Sequence, residues 1–293
     1  MSPATAFNFF LLGCALLLAC SGCANAPSLS INNIDVGRVM RGAQNARDVL
    51  VDFNQEQEIA IGQSVTSNLL GAAPLLQNTR VQQYVNQVGR WVAAQGERPT
   101  LPWTFAVLDV PEINAFAAPG GYIAITRGLL QKMQSEAELA AILAHEIAHV
   151  LQRHHLQAIR KAAGANLAGD LISLGLEKKQ GGDPILLRLA ATGTEIYVRG
   201  GLDKADEFEA DRMAVVLAAR AGYDPYGMPA ILQTLQGMNP ADAGLSLLFR
   251  THPSLNERLA ALDDALPASL ERFDRQPDLS LRFREQLGDL YKK

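Results

Sequence analysis

The chain has 293 residues, of which 48% are hydrophobic and 19% charged, and its formal net charge is −4. This length allows one large domain or two small ones, and either can bury a substantial core. Nothing in the sequence is basic enough for a nucleic-acid-binding surface, and it contains no internal repeat.

The N-terminal segment resembles the signal peptide of a bacterial lipoprotein. An apolar run from Phe7 to Ala19 ends in Leu-Leu-Ala-Cys and is too short to span a membrane. The resemblance implies that residues 1–19 are removed and that Cys20 becomes a lipidated first residue, with Cys23 as the alternative site. Because serine follows Cys20, the resemblance also implies sorting to the outer membrane, on its periplasmic side. The alternative interpretations of this segment are an ordinary secretory signal peptide and a wrongly assigned start codon.

The cysteines exclude two kinds of site from the body of the chain. Cys14, Cys20 and Cys23 are the only three cysteines in the sequence. Everything that follows them therefore lacks both disulfides and thiolate metal ligands. Residues 20–50 combine small and polar side chains with scattered apolar ones, which predicts a tether and an N-terminal segment that includes a first helix.

Two helices and a small sheet are predicted after residue 50. Apolar residues recur at helical spacing from Gln55 and again from Thr79. The period changes after Pro102, where three β-rich stretches are separated by turn residues: 103–110, 114–117 and 122–126. The pattern as a whole predicts an α+β fold that is predominantly helical, with a sheet of about three strands next to the following helix.

The stretch that begins at Ser135 predicts a buried helix that carries a metal site. Ser135 and Glu138 form a capping box for its first turn. Its apolar sequence is interrupted by an H-E-x-x-H pattern, formed by His145, Glu146 and His149. Polar groups buried in such a helix need a partner, and two histidines one helical turn apart direct their ring nitrogens at one ion, as zinc requires. Glu146 then lies beside the open coordination position, where it can deprotonate a zinc-bound water.

A third protein ligand is predicted in the acidic run that starts at Asp206. Glu207 and Asp211 are four residues apart and share one face of a helix. We interpret Glu207 as the ligand and Asp211 as a carboxylate that orients a ligand histidine through its other ring nitrogen. Acidic residues at a helix start also interact favourably with the helix dipole, which explains Asp206 and Glu209 better than it explains Glu207.

The remaining segments are predicted as packing elements or loops. His154 and His155 follow the metal helix, and we expect them to interact with its negative C-terminus instead of binding metal. Residues 164–205 are irregular, which predicts either a lid over the site or a loose linker. Residues 271–293 are predicted to be a charged tail that is solvated or peripherally packed. Further helices are predicted at 206–221, 229–237 and 255–266.

Four features occur in an order that is characteristic of one protein family. They are His145-Glu146-x-x-His149, Glu207-x-x-x-Asp211, the run 114–121, and Thr251-His252-Pro-Ser254 with Arg258. Together they resemble the HtpX, Oma and CAAX-prenyl-protease family of zinc metallopeptidases, which belongs to the gluzincins. The resemblance implies a zincin-type domain over residues 51–270 with one zinc ion per chain. The N-terminal segment makes the chain most similar to the periplasmic lipoproteins of the family.

The resemblance also implies roles for residues outside the metal helix. An extended substrate would add by backbone hydrogen bonds to an edge strand formed by Asn114, Ala115, Phe116 and Ala117. His252 would either stabilise the oxyanion of the reaction or occupy the open zinc position in a latent state, and a simple surface histidine is the alternative. Arg258 would hold the same oxyanion or pair with a carboxylate.

Two functions of different classes are consistent with these residues. The first is a zinc endopeptidase, lipid-anchored at the outer membrane, that hydrolyses unfolded or misassembled envelope proteins with Glu146 as general base. The second is a latent or mainly non-proteolytic assembly factor whose zinc site is structural or blocked by His252. In both cases we expect periplasmic and outer-membrane proteins as partners, together with the membrane itself, and no nucleic acid.

Overall fold

The structure, a computed structural model, describes most of the chain beyond residue 52. The described residues are 30–31, 34–35, 53–170, 191–195, 201–239, 243–245, 248, 252, 254–265, 268–273 and 275–290. The predicted signal peptide, most of the tether and most of the predicted lid at 164–205 lie outside them. No helix within the described part of the chain has the length and apolar character needed to cross a membrane.

The chain divides into two units, Met1–Gly42 and Ala43–Lys293. In the first, two short strands pair in antiparallel fashion, β1 (Ser30–Ile31) and β2 (Ile34–Asp35). The second unit is mainly helical. Its helices are α1 (Gln55–Ala72), α2 (Thr79–Ala93), α3 (Arg127–Leu130), α4 (Glu136–Leu151), α5 (His154–Asp170), α6 (Lys204–Arg220), α7 (Gly227–Gln236), α8 (Leu255–Ala265) and α9 (Ser280–Leu287). Short 3-10 turns lie at Ala243–Leu245, Ala268–Phe273 and Gly288–Leu290.

The sheet of the second unit has three strands, β3 (Thr104–Leu108), β4 (Ala115–Ala118) and β5 (Tyr122–Thr126). Their order is β3-β5-β4, with β5 parallel to β3 and antiparallel to β4. β4 is therefore the outermost strand of the described sheet on one side. The predicted α+β fold, predominantly helical with a three-stranded sheet, is confirmed.

Both ends of β4 are defined by specific backbone contacts. Asn114, predicted as part of the strand, precedes it: its N–H donates to Thr126 Oγ1 at 3.1 Å, and its C=O accepts the Thr126 N–H at 3.0 Å. After β4 the chain turns at Gly120, whose φ is 78°. A Cβ at Gly120 would lie 2.7 Å from Ile59 Cα in α1. The turn therefore needs a glycine both for its backbone conformation and for its packing against α1.

The core of the second unit surrounds α4. Every residue of this helix from Glu136 to Val150 is buried, as its apolar sequence predicts for a core helix. α4 packs against α2, α6, α7 and β4. Only half of its predicted capping box forms. Ser135 Oγ accepts the N–H of Glu138 at 3.1 Å, but the Glu138 carboxylate accepts the N–H of Gln134 at 2.8 Å instead of that of Ser135.

The C-terminal segment differs from its prediction as a solvated or peripherally packed tail. Helix α9 contributes Phe283 and Leu287, both fully buried, to the main core. These two residues are four positions apart and share one helical face, so a short apolar stripe packs although the segment as a whole is highly charged. Arg282 forms an ion pair with the buried carboxylate of Glu136 at the start of α4.

Glu136 ties several elements to the N-terminus of the metal helix. Besides the ion pair with Arg282, its carboxylate accepts hydrogen bonds from the hydroxyls of Tyr84 and Tyr223, each at 2.8 Å. Burial, followed by the negative charge of Glu136, raises the pKa of both tyrosines, so both hydroxyls stay protonated and continue to donate. The start of α4 is thus held by α2, by α9 and by the loop after α6.

Candidate metal centre

The three side chains predicted as metal ligands meet between α4 and α6. His145 and His149 come from α4 and Glu207 from α6, and their ligand atoms all lie within 4.8 Å of one another. The two Nε2 atoms of the histidines are 3.0 Å apart. Glu207 Oε2 lies 3.6 Å from His145 Nε2, and Oε1 lies 3.5 Å from His149 Nε2. All three side chains are buried, at 2%, 1% and 0% exposure.

The packing of α6 on α4 creates this cluster. Among the described elements, these two helices share the most extensive contact. The buried side of α6 starts with Glu207 and Asp211 and continues with the small residues Ala214 and Ala218. Small side chains at such spacing let two helices approach closely. The carboxylates in the first two turns of α6 therefore lie next to the histidines of α4.

The donor set fits a divalent metal ion. Among the residues that the structure describes, Glu207 Oε1 is buried without a hydrogen-bond partner. A buried carboxylate oxygen without a donor is costly, and it faces the Nε2 atom of a histidine whose other ring nitrogen is already engaged. Burial alone would raise the pKa of Glu207, but the nearby imidazoles, His252 first and then His145, hold it well below its usual value. Glu207 is thus ionised and ready to bind a cation.

His145 is oriented by a carboxylate that is itself paired with an arginine. His145 Nδ1 lies 2.9 Å from Asp211 Oδ1, which leaves Nε2 directed at the ligand cluster. Arg258, 3% exposed, donates to both oxygens of Asp211, at 2.8 Å and 2.5 Å. Burial alone would raise the pKa of Asp211, but Arg258 outweighs it and lowers the value to about 2. Of the two roles predicted for Arg258, the geometry matches the pairing with a carboxylate.

His149 has a partner that the sequence did not indicate. Its Nδ1 lies 2.9 Å from Nδ1 of His154, which is 4% exposed and begins α5. The sequence predicted that His154 interacts with the C-terminus of the metal helix, and in the structure its ring contacts the side chain of His149, in the last turn of that helix. Arg153, two residues after the end of α4, adopts a left-handed conformation with φ 58° and folds His154 back onto the helix. The only available sequence signal was a histidine five residues after a predicted ligand.

Glu146 and His252 complete the surroundings of the cluster. Glu146 is 3% exposed, and burial raises its pKa, although the charges of His145 and His252 oppose the shift. His252 precedes α8, and its Nδ1 lies 2.5 Å from Glu207 Oε2. The ring centroids of His252 and His145 are 5.7 Å apart. The structure therefore places the histidine of the predicted Thr-His-Pro-Ser motif in direct contact with the third predicted ligand.

A buried ion-pair group connects the metal helix to the turn after β4. Glu58 of α1 is 1% exposed and accepts hydrogen bonds from Arg98 at 3.0 Å and 2.9 Å. It also pairs with Arg153 at 3.3 Å and accepts the N–H of Gly120 at 3.2 Å. The β4–β5 turn is thereby tied to Arg153 in the turn that follows α4. That β4 receives a substrate strand stays a prediction.

Comparison with known proteins assigns this arrangement to a family. Residues 79–266, more than half of the chain, match the model described as Peptidase family M48. The chain belongs to peptidase family M48. Members of this family carry a metal ion, and the cluster of His145, His149 and Glu207 is the corresponding candidate site.

This M48 chain is similar in sequence to several curated proteins, and three of them differ in the share of each chain that is covered. It is 30% identical to the beta-barrel assembly-enhancing protease of Escherichia coli (strain K12) over 252 residues, which are 80% of this chain and 51% of that protein. It is 32% identical to the mitochondrial metalloendopeptidase OMA1 of Arabidopsis thaliana over 59% of this chain and 33% of that protein. It is 30% identical to a protease HtpX homolog of Methylibium petroleiphilum over 61% of this chain and 73% of that protein. The chain thus spans about half the length of the first of these relatives.

The metal affinity of this M48 chain is expected to rise with pH up to about 9. Burial by itself would lower the pKa of His145, but the neighbouring carboxylates of Asp211 and Glu207 outweigh it and raise the value to about 9. Below that pH a metal ion must displace the proton, so the association constant should increase roughly tenfold per pH unit and then level off. Competition with a chromophoric chelator between about pH 6 and pH 10 measures this dependence.

The matched control for this titration is Asp211→Asn. The amide no longer favours the charged form of His145, so the break in the curve should move to lower pH. An association constant that does not depend on pH in the unsubstituted protein contradicts the prediction.

Proposed function

We propose that this M48 chain is a zinc-dependent endopeptidase that hydrolyses unfolded or misassembled proteins of the bacterial envelope. The observation that carries the proposal is the convergence of His145, His149 and Glu207 on one point, with Glu146 on the same buried helix. Relatives with the names beta-barrel assembly-enhancing protease and mitochondrial metalloendopeptidase support the reaction class.

Zinc is the ion that the donor set favours. Two imidazole nitrogens and one carboxylate oxygen are the three protein ligands typical of a catalytic zinc with an open fourth position. When bound there, zinc would lower the pKa of a water molecule and polarise the carbonyl of a peptide bond. Asp211 contributes by holding His145 in the tautomer whose Nε2 lone pair faces the ion.

Glu146 is the proposed general base. Burial raises its pKa, which makes the carboxylate a stronger proton acceptor. It accepts one proton from the attacking water, whose oxygen bonds to the carbonyl carbon. The same proton then moves to the leaving nitrogen as the C–N bond breaks. One water molecule is consumed, and a new carboxylate and a new amino terminus are formed.

The substrate and the location are proposed from the sheet and the N-terminal sequence. An extended substrate segment would bind along residues 114–117, next to the β4–β5 turn that Glu58 ties to Arg153, just after α4. Unfolded proteins offer such segments, whereas folded ones do not. Acylation of Cys20 would hold the chain on the periplasmic side of the outer membrane, and mass spectrometry of the membrane-extracted protein tests for that lipid.

Hydrolysis of a disordered protein such as casein tests the proposed reaction. We expect cleavage that stops after chelation and returns with stoichiometric zinc. Glu207→Ala should lack cleavage because it removes a ligand, whereas the control Glu56→Gln, an exposed glutamate in α1, should retain it. Cleavage by the Glu207→Ala variant at the rate of the unsubstituted protein would refute the proposal.

The contact between His252 and Glu207 favours a second candidate function, a latent assembly factor. A ring nitrogen 2.5 Å from the ligand carboxylate is close enough to compete for the metal's open position after a small shift. The same location also suits stabilisation of a developing oxyanion, which we take as its main role.

Replacing His252 by Ala separates these two roles by the sign of the effect. Loss of an oxyanion donor should lower kcat by about 10²- to 10³-fold, and we expect this loss. A large gain in casein cleavage would instead support the latent state. The double variant Glu146→Gln/His252→Ala is the control, because any activity gained at this site must disappear in it.

A further inference from the structure

We propose that His154 is a positioning residue for the metal ligand His149, and that Asp206 and Glu209 select the tautomer of His154. The inference rests on the proposed metal site and adds to it a chain of contacts from the acidic start of α6 to the second histidine of α4. It concerns how the ligand is held and takes no part in the chemical step.

The first step concerns the tautomer of His149. Its Nε2 faces the ligand cluster, 3.0 Å from His145 Nε2 and 3.5 Å from Glu207 Oε1. To bind a metal there, Nε2 must keep its lone pair, so the single proton of the neutral ring belongs on Nδ1. The ring is 1% exposed, so bulk water does not reach it. Its Nδ1–H group therefore needs an acceptor inside the protein.

The second step identifies that acceptor as His154 Nδ1, at 2.9 Å. Because one of two facing ring nitrogens must donate and the other accept, the proton of His154 is assigned to Nε2. Both rings are buried, at 1% and 4% exposure, so bulk water cannot take over this hydrogen bond. Loss of the acceptor would leave the Nδ1–H group of His149 unsatisfied and free the ring to flip.

The third step explains why His154 carries its proton on Nε2. That atom lies 3.6 Å from Glu209 Oε2 and 3.8 Å from Asp206 Oδ1. These distances are too long for direct hydrogen bonds, so the two carboxylates act through their charge or through a bridging water. Either way they favour an N–H group on the side of His154 that faces them. Asp206 and Glu209, close to Glu207 in sequence, thus help to position His149 on α4 through His154.

The two ligand histidines are therefore held by different chemistry. His145 donates to Asp211, an ionised carboxylate paired with Arg258. His149 donates to the imidazole of His154, whose position depends on the turn between α4 and α5. Arg153, with φ 58°, makes that turn and pairs with buried Glu58. The second ligand is thus positioned by a connection between helices, whereas the first is positioned by direct packing of α6 on α4.

Zinc affinity, measured without any substrate, tests the inference. His154→Ala should raise the Kd for zinc about 10- to 100-fold, as typically found when the partner of a ligand histidine is removed. His154→Asn, whose side-chain oxygen can accept at the position of Nδ1, should restore affinity to within about threefold of the unsubstituted protein. In the cobalt-loaded protein, the d–d absorption bands should shift in His154→Ala and return in His154→Asn. Gln157→Ala, in the exposed part of α5, is the matched control.

The outcomes separate a positioning role from a packing role. Unchanged zinc affinity in His154→Ala overturns the inference, as does a His154→Asn variant as weak as His154→Ala. The second result would mean that only the volume of the ring matters, and thermal unfolding of the metal-free variants would show the same loss. A protein that binds zinc as expected but cleaves nothing refutes the proposed function and leaves this inference standing, whereas a protein that binds no zinc overturns both.

Discussion

Replacing Glu146 by Gln is expected to lower kcat for cleavage of a disordered protein by about 10²- to 10⁴-fold, the range for loss of a general base. Gln has nearly the same shape as Glu but cannot accept a proton from water at neutral pH. The carboxylate is buried on α4, and its raised pKa suits proton uptake and return. Single-turnover cleavage of fluorescently labelled casein, at saturating zinc, measures the effect on the chemical step.

Zinc content and stability must stay unchanged for this result to be decisive. Glu146 is not a member of the three-residue ligand cluster, so one zinc ion per chain should still bind. Glu112→Gln, at an exposed glutamate, is the control for the substitution itself. Turnover by Glu146→Gln at the rate of the unsubstituted enzyme would exclude Glu146 as the base.

Replacing Arg258 by Met is expected to destabilise the metal-free protein by about 3–5 kcal/mol, the cost of leaving one member of a buried ion pair without its partner. Arg258 is 3% exposed and donates to both oxygens of Asp211, which is also buried. In the variant, the negative charge of Asp211 would keep only His145 as a partner. Urea unfolding followed by circular dichroism measures the free energy of unfolding.

The double variant Asp211→Asn/Arg258→Met tests whether the loss comes from the uncompensated charge. Removing both charges should recover a large part of the stability that Arg258→Met loses. If the double variant instead loses as much stability as the two single variants combined, the two residues contribute through separate contacts. The pKa of Asp211 gives an independent check. Because Arg258 lowers this pKa to about 2, the stability from the pair is present above about pH 4 and is lost as the pH falls towards 2.

The sequence indicated the metal-binding helix with little ambiguity, because the signals for it are local. Ser135 marks its start, an apolar sequence on all sides predicts its burial, and His145 and His149 are one helical turn apart. The i, i+4 spacing of Glu207 and Asp211 likewise predicted one ligand and one orienting carboxylate from a single helix. In each case the functional group and the element that directs it lie within a few residues of each other.

The contacts that hold the site were decided only by the tertiary structure. Arg258 had two predicted roles, and its pairing with Asp211 depends on how α8 packs against α6, which no local pattern encodes. Helix α9 was predicted as part of a tail because its charged residues outnumber Phe283 and Leu287, yet those two side chains are fully buried in the main core.

His154 shows which features the sequence determines and which depend on the tertiary structure. By itself, the sequence predicted a metal ligand five residues before it and acidic residues at the start of α6. Only the tertiary structure determined that a left-handed Arg153 folds His154 back onto His149 while α6 brings Asp206 and Glu209 to its far side. The physical reason is that chemical roles follow from residue types at short spacing, whereas hydrogen-bond partners follow from the packing of elements that are distant in the chain.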